Sequence, residues 1–368
     1  MIIQSIELNN FRNYENLQLS FDEGTNILFG DNAQGKTNIL EAAYLSGTTK
    51  SHKGSKDKEM IRFGTNEAHL RTMVLKNGKQ YQIDMHLKHN RSKGIAVNKI
   101  PMKKASELFG ILNIVFFSPE DLNIIKNGPS ERRHFLDAEL CQLDKIYLSD
   151  LSNYNKILNQ RNKLLKDMVY RPELSDTLPV WDMQLADTGK KIIRRRKQFV
   201  KELNEIVHEI HYRISGGREE LFLSYEPSVS ADLLEQELER VKPRDLKQCQ
   251  TSVGPHRDDL LFSIAGVDIR KFGSQGQQRT SALSLKLSEI ELVRKSIHDT
   301  PVLLLDDVLS ELDSNRQNYL LNSICDTQTI ITCTGLDEFI RNRFEINKVF
   351  EVISGQVFEK GQVIERQG

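Results

Sequence analysis

Gly30-Asp31-Asn32-Ala33-Gln34-Gly35-Lys36-Thr37 places two glycines five residues apart, with Lys and Thr directly after the second. Glycine tolerates the tight curvature and close approach that a backbone needs to wrap phosphate oxygens. A lysine at this spacing reaches the outer phosphates of a nucleotide, and a threonine hydroxyl beside it ligates Mg²⁺. Far downstream, Val302-Leu303-Leu304-Leu305-Asp306-Asp307 is an apolar run ending in two carboxylates. Asp306 is expected to hold the Mg²⁺ shell, and Asp307 to orient attacking water beside the γ-phosphate. Just before that run, Phe272-Gly273-Ser274-Gln275-Gly276-Gln277-Gln278-Arg279 opens a long helical pattern. Ser274, Gly276 and Gln277 offer backbone N–H groups, a hydroxyl and the positive end of a helix dipole, a second phosphate-binding tip. Taken singly, these stretches could be a glycine turn and a buried strand with polar residues at its end. Taken together, they make ATP with Mg²⁺ the expected ligand.

The elements that must position these residues are legible nearby. Thr25-Asn26-Ile27-Leu28-Phe29 reads as a short buried strand entering the glycine loop, and Asn38 to Leu45 as the helix leaving it. Ile6 and Leu8, then Leu17, Leu19 and Phe21, alternate with polar residues, so the first hundred residues read as β-rich. Asn77-Gly78 marks a hairpin, and Ile111 to Phe117 another strand. From Ser130 to about Met168 the pattern turns helical, with Leu140, Tyr147, Tyr154 and Met168 on one heptad position and Leu151, Leu158 and Leu165 on the other. A second stretch, about Trp181 to Ile214, repeats the pattern with Ile192, Phe199, Leu203, Ile206 and Ile210. Pro172 and Pro179 lie between them. This predicts an antiparallel helical hairpin inserted in an α/β domain, an arm roughly 45 Å long, or else a compact helical subdomain. The expected division is a head part over 1–128, an arm over 129–216 and a second head part over 217–368.

Composition narrows the partners. Lys+Arg and Asp+Glu both number 51 in 368 residues, so nucleic acid would have to be met by a local patch. The four cysteines, Cys141, Cys249, Cys325 and Cys333, show no C-x-x-C spacing. That fits a reducing cytosol and neither a zinc site nor a disulfide framework. No apolar run approaches a membrane span, and the N-terminus enters a strand pattern with no signal-peptide core. The run Lys190-Lys191-Ile192-Ile193-Arg194-Arg195-Arg196-Lys197 reads either as a solvated helix face or as a contact to a phosphate backbone. Arg194, Arg195 and Lys197 are its candidates, with Arg132 and Arg133 at the foot of the arm. His256-Arg257-Asp258 lacks the Asn that a kinase catalytic loop needs five residues on, where Ser263 stands.

The ordered trio at Gly30, Ser274 and Asp306 resembles the ABC ATPase superfamily, in which the tip of one protomer closes over ATP held by the other. Ser310-Glu311-Leu312-Asp313 looks like that superfamily's D-loop. Its switch-loop His is absent, leaving Thr332 or Thr334 to serve, and Ser118-Pro119-Glu120-Asp121 stands where a Q-loop would be. More specific are Asn10-Phe11-Arg12-Asn13-Tyr14, Phe117 to Leu122, Arg132-Arg133-His134-Phe135-Leu136-Asp137 and Gly254-Pro255-His256-Arg257-Asp258. With these the chain resembles, end to end, the RecF family of bacterial recombination-repair ATPases, a short-armed relative of SMC proteins. The resemblance implies an ABC-type P-loop head with a helical insertion, Arg12 among the ATP contacts, and an ATP-dependent dimer that clamps gapped or junction DNA. It also implies work with RecR and RecO to place RecA, in the cytoplasm at the nucleoid. The head would carry Asp307 where a Glu is usual, a carboxylate one methylene shorter. A displacement of about 1 Å costs roughly a hundredfold in rate, so hydrolysis is expected to be slow, a release step. Three rivals remain: another SMC-like DNA-structural ATPase, a transporter ATPase subunit, and an enzyme passing phosphate from ATP to a metabolite. DNA-stimulated turnover separates the last from the rest.

Overall fold

The computed structural model describes residues 1–309, 312–324, 326–335 and 346–360. Ser310 and Glu311 of the expected D-loop, and Cys325, lie outside the described residues. The chain forms two compact units, residues 1–121 with 289–368, and residues 122–288.

In the first unit, the alternating N-terminal residues become β1 (Ile2–Phe11) and β2 (Tyr14–Ser20). They join β4 (Glu67–Lys76), β5 (Lys79–Lys88), β6 (Arg91–Val97) and β7 (Ile100–Pro101) in an antiparallel sheet ordered β2-β1-β4-β5-β6-β7. Asn77 and Gly78 close the β4–β5 hairpin with φ of 50° and 72°, the left-handed pair that an Asn-Gly turn supplies. A second sheet is ordered β15-β14-β3-β13-β12-β8, from β3 (Thr25–Phe29), β8 (Ile114–Phe117), β12 (Val302–Asp306), β13 (Thr329–Cys333), β14 (Ile346–Ile353) and β15 (Gln356–Lys360). Its pairs are parallel except β14 with β15. Its central strands are almost wholly buried, as strands covered on both faces are. Helix α1 (Lys36–Thr48) buries Ile39, Leu40, Ala42, Ala43 and Leu45. Its apolar side chains share one core with both sheets.

The second unit begins with α2 (Leu122–Lys126) and α3 (Pro129–Leu143). The helix expected over 130–168 is broken at Asp144, whose extended backbone (φ −136°) interrupts it and whose carboxylate caps the N–H groups of Ile146 and Tyr147. This cap starts α4 (Lys145–Asp167). Helix α5 (Leu178–Ile214) has 37 residues, about 55 Å of helix. The pairs Asp144–Arg195, Tyr147–Arg196 and Arg161–Asp182 run in opposite senses along α4 and α5, so the two helices are antiparallel. They do not form a free two-helix arm. Helix α5 also packs on β9 (Leu221–Glu226) and α6 (Leu234–Gln248). Strand β9 continues into a small sheet with β10 (Asp259–Ile264) and β11 (Val267–Asp268). A four-residue helix α7 (Ile269–Phe272) leads to α8 (Gln275–Ile297). Residues 217–288, expected with the head, are thus in the same compact unit as the helices, because α5 needs these elements to cover its apolar positions.

Three arginines in this unit are almost wholly buried: Arg132 (2%), Arg161 (0%) and Arg196 (2%). Arg161 occupies the heptad position between Tyr154 and Met168, the one charged residue in that stripe. Its guanidinium donates to Asp182 (2.6 Å), Asp245 (2.8 Å) and Thr251 (2.9 Å). Arg196 donates to Asp137 (2.7 Å), the Tyr147 hydroxyl (2.9 Å) and the Pro255 carbonyl (2.7 Å), and lies 3.4 Å from Asp258. Asp258 also accepts from Tyr225 and from Ser228 N. Burial raises the Asp258 carboxyl above the usual range despite these donors. Gly254 has φ +121°, and a Cβ there would stand 2.5 Å from the Tyr154 hydroxyl. The Gly254-to-Asp258 motif is therefore a packing and hydrogen-bonding node.

Removing one partner from such a node leaves a buried charge without compensation. Arg196→Leu is expected to lose about 3–5 kcal/mol in urea unfolding, while Lys197→Leu, one residue away and exposed, changes stability by less than about 0.5 kcal/mol. Burial also pushes the His256 imidazole down to about 4. It is neutral, accepting at Nδ1 from Tyr154 and donating from Nε2 to the Thr251 carbonyl. Between its unfolded value near 6.5 and about 4, only the unfolded chain takes up the proton, so stability falls as pH drops through this window. Urea midpoints measured against pH should show a shallower fall for His256→Gln.

Candidate nucleotide site

The loop between β3 and α1 carries φ of +147° at Gly30, +64° at Ala33 and +115° at Gly35. A Cβ at Gly30 would meet the Val352 carbonyl at 2.3 Å, and one at Gly35 would meet Asn13 Nδ2 at 2.4 Å. Both glycines are required by conformation and by space. The loop is braced from outside: the Tyr14 hydroxyl donates to the Gly35 carbonyl, and Asn13 Nδ2 and Gly355 N to the Gln34 carbonyl. The Gln34 side chain accepts from Ser354 N.

A cleft of about 440 Å³ opens beside this loop. Asn32, Ala33, Gly35, Lys36 and Thr37 line it, with Asn38, His52, Lys53, Ser118, Pro119, Glu120, Asp306, Asp307 and Thr332 opposite. Gly30, Asp31 and Gln34 shape the loop without lining the cleft. Lys36 Nζ folds onto the carbonyls of Gly30 and Asp31 (2.7 Å to the latter). Burial lowers its pKa, against the raising effect of Asp307, Cys333, Asp306 and Asp31. Asp306 Oδ1 accepts from both the Thr37 hydroxyl (2.8 Å) and the Thr332 hydroxyl (2.7 Å). Asp307 sits at φ +53°, just past the strand, and its N–H donates to the Thr332 hydroxyl (3.1 Å). A helix N-terminus with its first N–H groups free of intrahelical partners faces the same space. A cradle closed to any Cβ, a buried ammonium and a Thr–Asp pair fit a nucleoside triphosphate with its Mg²⁺.

The family profile described as RecF/RecN/SMC N terminal domain matches residues 2–356. The DNA replication and repair protein RecF of Agathobacter rectalis is 74% identical over 97% of this chain and 99% of its own length. That of Clostridium botulinum is 48% identical over 92% of this chain and 94% of its own. The chain belongs to the RecF family. A solved structure of the recombination mediator protein RecF with ATP, in the RecFOR pathway, superposes with a TM-score of 0.92 at 38% identity, covering 98% of this chain and 97% of that one. An Smc head domain from Pyrococcus furiosus shares the fold at 17% identity and a TM-score of 0.57.

Other expected site residues in this RecF-family chain lie elsewhere. Arg12, at φ +54°, is engaged with the fully buried Glu41 of α1 through two 2.7 Å hydrogen bonds, and with Ser55 and the Glu59 carbonyl. It does not line the cleft. Burial works to raise the Glu41 carboxyl, but the hydrogen bonds from Arg12 and Ser51 outweigh it and hold it below the usual range. Arg12 thus braces the nucleotide-loop helix. In the second unit, Ser274 and Gln277 form a reciprocal cap at the start of α8: Ser274 N donates to Gln277 Oε1 (2.8 Å) and Gln277 N to Ser274 Oγ (3.2 Å). Ser274 and Gly276 are exposed there.

The expected DNA contacts divide sharply. Arg132 is a correction: buried, it forks onto Asp259 (2.6 and 3.2 Å) and donates to the carbonyls of Ile124 and Asn127, so it cannot meet a phosphate backbone. Arg133 donates to the Asp258 carbonyl, and burial lowers its pKa. Arg195 pairs with Asp144, and Arg194 with Asp232 in an exposed bridge. Lys197 is exposed. Along this run Ile192, Ile193 and Arg196 face the core, as the helix period decides, a distinction the composition of the run hides.

Two cleft residues escaped the sequence reading. His52 stacks on Phe116 with ring centroids 4.1 Å apart, and burial pushes its imidazole down to about 4. Lys53 follows it. Both come from a short connecting segment with no hydrophobic alternation and no fixed motif spacing to mark it. Of the two candidate switch threonines, Thr332 lines the cleft and Thr334 does not. Thr332→Val removes the hydroxyl that positions Asp306 and Asp307. Losing a hydrogen bond to a charged group is worth about 1.5–3 kcal/mol, so phosphate release should slow by at least about tenfold with ATP affinity little changed, measured by phosphate release beside equilibrium nucleotide binding.

Proposed function

We propose that this chain is an ATP-dependent DNA-binding protein of recombinational repair and replication restart, whose ATP-bound dimer clamps gapped or junction DNA and whose hydrolysis releases it. The observation that carries this reading is the convergence of Thr37, Asp306 and Thr332 on one point of the cleft, in a chain of the RecF family. The relatives are named for DNA replication and repair, and similar solved structures carry ATP or an ATP analogue in the RecFOR pathway. RecR and RecO are the proposed partners, with RecA downstream. Among the described residues no helix is long and apolar enough to cross a membrane; the proposed place of work is the cytoplasm, at the nucleoid.

The roles follow from the residues. The loop and the first turn of α1 bind the phosphates through N–H groups. Lys36, now satisfied by two carbonyls of its own loop, is the mobile cation that turns to the outer phosphates. Thr37 and Asp306 are the proposed Mg²⁺ holders, and Mg²⁺ when bound neutralises charge on the phosphates. Asp307, held by Thr332, orients the water, and Glu120 at the cleft rim is the acidic candidate for the Q-loop place. The Ser274–Gln277 cap belongs to a pre-built phosphate tip. In the proposed dimer it reaches the nucleotide of the other copy, which leaves each cleft incomplete without a partner. Lys197 and Arg194 remain as DNA candidates on α5.

Ser274→Arg should bind ATP normally, because the cleft is intact, and fail to form ATP-dependent dimers in light scattering. Asp307→Asn should bind ATP, lose turnover and accumulate as a dimer on DNA. Dimers of Ser274→Arg at the wild-type ATP dependence would refute the second-copy site, and wild-type turnover by Asp307→Asn would refute its role.

A further inference from the structure

The face of the antiparallel sheet that points away from the shared core carries a cluster unrelated to the nucleotide cleft. On β4, Glu67 and His69 alternate with the buried Ala68 and Leu70, so both face outward. On β5, His86 lies directly opposite His69 in register. The two imidazoles stack with centroids 3.8 Å apart and planes inclined by 26°. His86 Nε2 lies 2.9 Å from Glu67 Oε2. One ligand atom from each of the three residues falls within 4.8 Å of the other two.

We propose that Glu67, His69 and His86 form a binding site for a borderline divalent transition metal of the Zn²⁺ type. Two imidazole nitrogens and one carboxylate oxygen are a ligand set such ions take, with the fourth position left to water. Metal–ligand distances near 2.0–2.1 Å in a tetrahedron put ligand atoms about 3.3 Å apart. From 4.8 Å or less, the closing movement asked of the cluster is one of side chains, since its Cα positions are fixed by an unbroken ladder. Room for the ion is also present. The residue paired with His86 on the far side is Gly94 of β6, which presents no side chain to this face. The neighbouring cations are partly committed: Arg71 pairs with Asp84 and Glu7. Lys88 Nζ stands 3.6 Å from Glu67 and is the group an entering ion displaces. Bound there, the metal would cross-link β4 and β5 outside the core.

Zinc binding to the full chain, read by competition with a chromophoric chelator without nucleotide, tests this. The wild type should bind one equivalent that His69→Gln and His86→Gln each weaken by at least about tenfold. Ni²⁺ should compete, and Mg²⁺ and Ca²⁺ should not. Both substituted positions face outward, so unchanged circular dichroism and ATP binding will show that the variants are folded. No zinc binding by the wild type, or wild-type affinity in the His69→Gln/His86→Gln double variant, overturns the proposal.

Discussion

One carboxylate fixes the nucleotide cleft. Asp306 accepts hydroxyls from Thr37 and Thr332, residues that come from three separate parts of the chain. This is possible because β3, β13 and β12 run parallel and side by side, with Asp306 paired to Thr332 and Cys333 to Phe29 in register. Their carboxyl ends finish at one level. In open parallel sheets that edge is where ligands bind, since the loops leaving it are free of the ladder. A slip of one residue in β12 would turn Asp306 to the other face and dismantle the cluster without touching the glycine loop.

The same unit shows how a glycine-rich loop is held still. Its glycines cannot be replaced, but they also provide no rigidity. That comes from residues outside the motif: Tyr14, Asn13 and Gly355 bond to the loop's carbonyls, and Arg12 locks Glu41 within α1. The ion pair holds the fully buried carboxylate of Glu41, tolerable because both of its oxygens are bonded.

The second unit uses buried arginines as its organising groups. Each one gathers carboxylates from elements distant in sequence: Arg161 joins α4 to α5 and α6, and Arg196 joins α5 to α3 and to the turn before β10. Burying a guanidinium demands near-complete pairing, so such contacts specify one arrangement of the helices more strictly than apolar packing does. The cost is that Arg161 of α4 and Arg196 of α5 are consumed by structure and are closed to a polyanion.

The glycine loop, the Asp306-Asp307 strand end, the Ser274 cap and the Asn77-Gly78 hairpin were all legible in the sequence, because each depends on local backbone geometry and a fixed residue spacing. So was the antiparallel pairing of two long helices, from their heptad stripes. Tertiary structure alone decided which of two threonines enters the cleft, since that depends on strand register, and that Arg12 braces α1. It also decided that Arg132 and Arg196 are interior while Lys197 is not. A basic run carries no mark of which side chains find carboxylates, because those partners, Asp259, Asp137 and Asp258, are brought to it by folding from as many as 127 residues away.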